Sequence, residues 1–481
     1  MLALALLVLS ALAPPVDPPG RTVELRLVRL DREAGPALVS SGIPLPPGAV
    51  RAGGIGNIRV TLDGAETPAY VGALHGTHPD GSLRAVLIQF RADLPAGRPV
   101  GRPAAAMLEL DGPPALPRLP RQPVALDSIQ GIALPYSAGW LVSTGIVGPT
   151  ITVAESRTLR GSFYTYEVKA AAASNEHWRS EGSSWSAANY YDRVLGHYAL
   201  WARTASPTYW RRATAIALDY RAHYLEEHDY RASPHWAQLE GLAVHYWLTG
   251  DERSRTAVIE TARRLTRAFS VERSADPAYQ YNEGRIQQRV MLAALLAWQL
   301  GDASRDWGAV ADGYVENWLR QQRPDGSFRY RLNTEDARSP LGQSNFMEGL
   351  RMSALVKYYD ARRRDPRIVT AVRRQVDYLW ATQWVESAGG FRYWNTGRND
   401  VAVDLDMLYV VGFGFTFRET GLGRYRQWGD RVFAAAVTGT FYDGTKQYNQ
   451  QQYDSFLYLA LRAAPARSSP ERASSPMLPQ S

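Results

Sequence analysis

Cysteine is absent from the 481 residues. That excludes disulfides, thiolate metal sites, a cysteine nucleophile and a lipidated N-terminal cysteine. Lysine is almost absent: Lys169, Lys357 and Lys446 are the only ones, so arginine carries nearly all of the positive charge. The formal net charge is +7, but no dense basic run and no nucleic-acid motif accompanies it, so no DNA or RNA partner is expected. Apolar runs long enough to span a bilayer are missing, and no stable membrane span is expected. The apolar start from Met1 to Leu12 is short, with small residues at Ser10, Ala11 and Ala13 before Pro14-Pro15. Residues 1–20 therefore read as a secretory signal and a proline-rich start, and the expected location is secreted or periplasmic. No His-Glu-x-x-His spacing occurs, so no catalytic zinc and no cofactor is expected; loop oxygens leave calcium open as a ligand. A serine-hydrolase elbow, a phosphate loop and a dinucleotide fingerprint are likewise missing.

What is present is an ordinary globular composition, 45% hydrophobic and 21% charged, on a chain long enough for two or more domains. Residues 21–112 read as a small β barrel or sandwich. Val23 to Val28 and Ile58 to Leu62 alternate apolar and polar residues, Ala85 to Phe90 and Met107 to Leu110 are further strands, and Asp63-Gly64, Pro79-Asp80-Gly81 and Asp111-Gly112 are turns. Residues 113–183 read as a connector, proline-rich to Pro123, with further strands, the best of them Tyr164 to Val168. From residue 184 the period becomes helical. Five helix pairs and the start of a sixth follow to residue 464, and Glu240-Gly241-Leu242 and Glu348-Gly349-Leu350 occupy equivalent points of two of them. The fold class expected is α+β multidomain, a β barrel or sandwich followed by an (α/α) toroid of five to six hairpins. Residues 465–481, rich in Ser, Pro and Ala, read as a disordered tail.

Ser41-Gly42-Ile43-Pro44-Leu45-Pro46-Pro47-Gly48 and Thr77-His78-Pro79-Asp80-Gly81-Ser82-Leu83-Arg84 resemble two motifs of the N-terminal β domain in the rhamnogalacturonan exolyase family. That domain is a RIFT-type barrel, and the family's helical part is a toroid of the kind many glycosidases share. The resemblance covers about a hundred residues and implies an exported carbohydrate-active enzyme. It carries no catalytic residue onto this chain.

Sugar sites combine aromatic platforms with hydrogen-bonding groups in a cleft. Of 14 tryptophans and 26 tyrosines, Trp185, Tyr190, Tyr191, Trp236, Tyr281, Tyr330, Tyr393 and Trp394 stand nearest the helix starts that would ring a funnel mouth. More than half are expected simply to wedge helices apart. Glu283 opens a helix, where the dipole favours a carboxylate, with Arg285 beside it to grip an anion; the plainer reading is a helix-start ion pair. His235 opens another helix as a candidate base or a cap. Glu348 lies three residues after Asn345, on one helix face. Asp406 and Asp404 begin a fifth inner helix, and Asp192 flanks the first.

Two chemistries compete for these residues. A uronate lyase needs a Tyr or His base and charge-stabilising groups; Tyr281, His235, Arg285 and Asn345 would serve. A glycosidase needs two carboxylates; Glu283 with Glu348, or either with Asp406, would serve. Elimination on an acidic poly- or oligosaccharide is the first expectation, hydrolysis the second, and a non-catalytic glycan-binding protein the third.

Overall fold

In the computed structural model the described residues are 21–31, 33–95, 105–113, 116, 118–123, 129–186, 191–336, 338–397, 400–439 and 444–464. The signal and tail segments expected at 1–20 and 465–481, and Tyr190, lie outside them. The chain is mixed helix and sheet, with a curled N-terminal sheet and a helical C-terminal part.

The sheet has eight strands: β1 (Thr22–Arg29), β2 (Gly35–Pro44), β3 (Arg59–Leu62), β4 (Ala65–Glu66), β5 (Ala69–Ala73), β6 (Ala85–Leu94), β7 (Ala105–Glu109) and β8 (Gly131–Pro135). Their order is β4-β3-β7-β1-β8-β2-β6-β5, antiparallel except for a parallel contact of β2 with β8. In β1, Val23, Leu25 and Leu27 alternate inward, as half-buried strands do. The start of β6 is apolar on both faces for a different reason. Val86, Ile88 and Phe90 fill the sheet's own core, while Ala85 and Leu87 join the helical core. The two motifs of the β domain meet here: Gly48 N–H donates to Ser82 Oγ at 2.8 Å, Leu45 N–H donates to Arg84 O at 2.9 Å, and His78 Nε2 lies 2.8 Å from Leu45 O.

Helices begin well before residue 184, which corrects the reading of residues 113–183. Among the described residues there, only Gly131–Pro135 is strand, and it joins the first sheet. It is followed by α1 (Ala138–Ser143), α2 (Val153–Thr158) and α3 (Gly161–Glu181). The segment read as the best strand, Tyr164 to Val168, lies inside α3. Phe163, Tyr166, Glu167, Ala170, Ala173, Ser174 and His177 are its buried positions, spaced three and four apart. The short window around Tyr164 concealed that longer period.

The remaining helices are α4 (Arg193–Thr204), α5 (Pro207–Tyr220), α6 (Glu240–Thr249), α7 (Glu252–Ala268), α8 (Val271–Ser274), α9 (Gly284–Gln299), α10 (Trp307–Gln321), α11 (Asn345–Ala361), α12 (Pro366–Tyr378), α13 (Val410–Thr420), α14 (Gly423–Thr438), α15 (Thr445–Gln452) and α16 (Ser455–Ala463). α6, α9, α11 and α13 are buried nearly all round, whereas α7 and α12 bury one face. The first kind forms an inner set. α4, α6, α9, α11, α13 and α16 pack on one another in that order, and α15 packs on α4. The outer set is capped by aspartates: Asp251, Asp306 and Asp365 each accept a backbone N–H at the start of α7, α10 and α12.

Among the described residues no helix follows α16, and α3 packs on α14 and α15 in the outer layer. Phe163 stacks on Phe433 of α14 at 4.8 Å, and Arg212 of α5 donates to Ser174 O and Asn175 Oδ1 at 3.2 and 2.9 Å. α3 is tied inward by the Glu167–Arg203 ion pair, both side chains 1% exposed. Arg203→Met leaves a buried carboxylate without its partner, so urea unfolding should show a loss of about 3–5 kcal/mol. The double variant Arg203→Met with Glu167→Leu should recover most of it, because no buried charge remains.

Candidate active site

The starts of the inner helices gather at one end of the helical part, opposite the β sheet. Two glycines let neighbouring starts close up. A Cβ on Gly241 would stand 2.6 Å from Asp192 Oδ1, and one on Gly349 would stand 2.6 Å from Leu408 O. This is the physical content of the repeated Glu-Gly-Leu.

Glu283 precedes α9 and Glu348 lies in its neighbour α11, and the fold brings them together. A Cβ on Gly284 would lie 3.0 Å from Glu348 Oε1. Arg351 fastens the approach: its Nη2 donates to Asn282 O at 2.9 Å, its Nε lies 3.2 Å from Glu348 Oε2, and its guanidinium sits 4.0 Å over the Phe328 ring. Tyr330 is buried beside Glu348, and its hydroxyl accepts from Ser344 N–H at 3.0 Å. Arg285 holds Glu283 through Nε and Nη2 at 3.3 and 3.2 Å. His235 Nε2 is 4.0 Å from Glu283 Oε1. Glu283 and Glu348 are 3% and 0% exposed, while His235 is 31% exposed.

His235 is therefore the link between the carboxylates and the surface. It lines an open groove of about 1070 Å³ with Tyr279, Tyr281, Arg273, Arg331 and Glu335. Tyr281 meets Phe269 edge-on at 5.4 Å and Tyr279 at 5.6 Å, forming an aromatic wall. The groove also carries Glu272 and Asp276, so its charge is mixed and does not select an acidic sugar.

Burial raises the pKa of Glu283 against the pull of Arg285. Burial raises that of Glu348 too, opposed by Arg351 and Tyr330 and reinforced by the Glu283 charge. Burial, then Arg285 and Arg289, push His235 down to about 4, so its imidazole is neutral at neutral pH.

The other residues expected at the mouth are placed as follows. Asp192 is 1% exposed and accepts from Leu195 N–H at 2.9 Å and Gly241 N–H at 3.0 Å, stitching α4 to α6 rather than facing a ligand. Asn345 is also a tie, not a wall: it donates to Gln383 Oε1 and Arg392 O at 3.0 and 2.7 Å and accepts from Gln343 at 2.8 Å. Its position three residues before Glu348 suggested a shared face, but its amide turns to the neighbouring loop. Trp185 stacks on Tyr224 at 4.3 Å and meets Trp236 edge-on at 6.1 Å, so these aromatics spend their faces on one another. Tyr191 is buried against Tyr453, Tyr393 packs on Phe346, and Tyr330 is buried beside Glu348. Asp406 is fully buried and accepts from Phe391 N–H at 3.2 Å, with its other oxygen unpartnered. Burial, and then the Asp406 charge, hold the Tyr409 hydroxyl well above its usual range.

Sequence reasoning missed Arg351, Tyr409 and Arg289. Arg351 had a readable signal, three residues after Glu348 on one helix face; Tyr409 and Arg289 had none. Glu240 is the structural member of the Glu-Gly-Leu pair, held by Lys357 at 2.7 Å and by Tyr453 at 2.8 Å. Among the described residues no three His, Asp or Glu side chains cluster to hold a metal, and no helix is long and apolar enough to cross a membrane.

Comparison with protein-family models gives no match, and comparison with curated proteins gives none. The resemblance to rhamnogalacturonan exolyases thus rests on the two β-domain motifs alone. Among solved structures the chain is similar to one described as UGL_D88N/dGlcA-Glc-Rha-Glc, with a TM-score of 0.44 and 10% identity over 61% of this chain and 94% of that one. It is also similar to the Lin0763 protein from Listeria innocua, with a TM-score of 0.37 and 10% identity over 56% and 82%. At these scores neither likeness carries an argument about activity.

The pKa directions set a pH signature. A raised carboxyl pKa stabilises the fold fully below the ordinary value of about 4.3, and that contribution is lost as pH rises through the folded value. A lowered histidine pKa acts oppositely: its contribution is present above about 6.5 and lost as pH falls toward about 4. Denaturation midpoints across this range should show Glu348→Gln flattening the loss at rising pH and His235→Gln flattening the loss at falling pH.

Proposed function

We propose that this chain is a carbohydrate-active enzyme that hydrolyses glycosidic bonds, with Glu283 and Glu348 as its paired carboxylates at the mouth of a closed toroid of six helical hairpins. The observation that supports this is the meeting of two buried carboxyls with raised pKa values beneath a groove walled by Tyr279 and Tyr281. A carboxyl kept protonated by burial can deliver its proton to the glycosidic oxygen, while its ionised neighbour attacks the anomeric carbon directly or through water. The C–O bond breaks, the leaving sugar takes the proton, and water supplies the hydroxyl at the anomeric carbon. Arg285 and Arg351 hold the two carboxylates in place, and His235 stands at the entry.

This reading prefers hydrolysis to the elimination expected first from sequence. A lyase base must accept a proton at working pH, and an imidazole held near 4 is a weak acceptor. Asn345, the expected charge stabiliser, has its amide engaged by protein groups. The mixed charge of the groove leaves the sugar class open, acidic or neutral.

Purified protein should release reducing ends from neutral or uronate-containing oligosaccharides without the ultraviolet absorbance of an unsaturated uronate. That absorbance would establish elimination instead, and no product on any glycan would favour a binding protein. Glu283→Gln and Glu348→Gln should each lower kcat by about 10²–10⁴-fold, and His235→Ala by less. Full turnover in both glutamine variants would remove the pair from the mechanism.

A further inference from the structure

A second hollow lies at the other end of the inner helices, where the β domain closes them off. It measures about 540 Å³, a size ordinary for small-molecule sites. Its walls are apolar: Val244 and Trp247 of α6, Leu292 and Leu296 of α9, and Leu457 and Leu461 of α16. The roof is the turn carrying His78 and Arg84 together with the end of α1 and the segment after it to Thr150. The Lys357–Glu240 pair forms part of its lining.

The charges in this chamber do not balance. Its two carboxylates are engaged, Glu240 by Lys357 at 2.7 Å and Asp360 by Arg418 at 2.9 and 2.7 Å. Two guanidiniums are not engaged. Arg364 stands exposed at the rim, and among the described residues no carboxylate pairs with it or with Arg84. Arg84 lies 4.7 Å over the Trp247 ring, and its buried Nε has no hydrogen-bond partner. Burial, with no opposing anion, draws its pKa down to about 10. His78 beside it stays neutral, lowered by burial and by the Arg84 charge. A buried donor without a partner is rare in a folded protein and costs free energy unless something fills it. An anionic oxygen is the group that a guanidinium fork pairs with most strongly.

We propose that this chamber is a binding site for a small organic anion with an apolar body, its carboxylate held by Arg84 and its chain lodged among the leucines of α9 and α16. The site is separate from Glu283 and Glu348 and does not depend on the hydrolytic reading. Octanoate is the probe and octanol, of equal chain length without the charge, is the control, both followed by calorimetry on the full chain. Octanoate should bind wild type more tightly than octanol. Arg84→Met, which keeps a side chain over Trp247, should weaken octanoate by at least about tenfold and leave octanol unchanged. Ala460→Phe, which fills the chamber from another wall, should abolish octanoate binding, and it serves if Arg84→Met does not fold. Glu283→Gln should bind octanoate as wild type does. Equal binding of the two probes, unchanged octanoate affinity in Arg84→Met or Ala460→Phe, or no octanoate binding to wild type at about 1 mM would each overturn the assignment.

Discussion

One ammonium, Lys357, joins three parts of the helical domain that are far apart in the chain. Its Nζ lies 2.7 Å from Glu240 at the start of α6 and 2.7 Å from Asp454 just before α16, while Lys357 itself belongs to α11. Tyr453 bonds Glu240 and receives Arg289 of α9 at 2.9 Å, and Ser353 bonds Asp454. Inner helices that are buried all round cannot leave charges facing solvent, so an ionised group among them needs an opposite charge or backbone hydrogen bonds. That constraint fixes which helices face each other across the interior. A cluster of this kind adds little net stability over an apolar core, but it penalises any other register of the helices heavily, because a shifted helix would strand a buried charge.

The two hollows follow from the same packing. At the helix starts, glycines permit close approach, and Arg351 ties the loop before α9 to Glu348. His235, 4.0 Å from Glu283, lines a groove walled by α8 and by the loops carrying Tyr279, Tyr281, Arg331 and Glu335, whose aromatic and charged side chains a ligand would meet. At the opposite end the sheet closes over the helices through Leu87, Leu74 and the His78–Arg84 turn. There the lining is mostly apolar because helix interiors supply it; the charges the helices contribute are paired, Lys357 with Glu240 and Arg418 with Asp360, while Arg84 of the turn and Arg364 at the rim are not. One end suits polar chemistry and the other suits an amphiphile.

Legibility varied with how local the determining physics is. The strands around Val23 to Val28 and Ala85 to Phe90 could be read because alternation and turn residues lie within a few positions. The hairpins could be read because helix periods are long and the aspartate and glycine caps mark their ends. α3 was misread because Tyr164, Thr165 and Val168 have strand propensity in a short window, while the buried set from Phe163 to His177 shows only over a longer one. His235, Glu283 and Glu348 are polar residues at helix starts; His235 comes within 4.0 Å of Glu283, and Glu348 adjoins Gly284. Asp192 and Asn345 fit the same pattern, and their side chains serve backbone and amide partners instead.

The order of residues therefore determined the β-then-helical division, the helical period, the caps and the placing of polar groups at inner-helix starts, since each depends on neighbours a few positions away. Tertiary structure alone decided that α3 completes the outer layer, that the start of α9 at Gly284 lies against Glu348, that Lys357 answers Glu240 and Asp454, and that Arg84 faces an apolar chamber with no counterion among the described residues. Those outcomes depend on which buried charges find partners when all the helices pack at once, a balance summed over contacts between distant segments that no local pattern records.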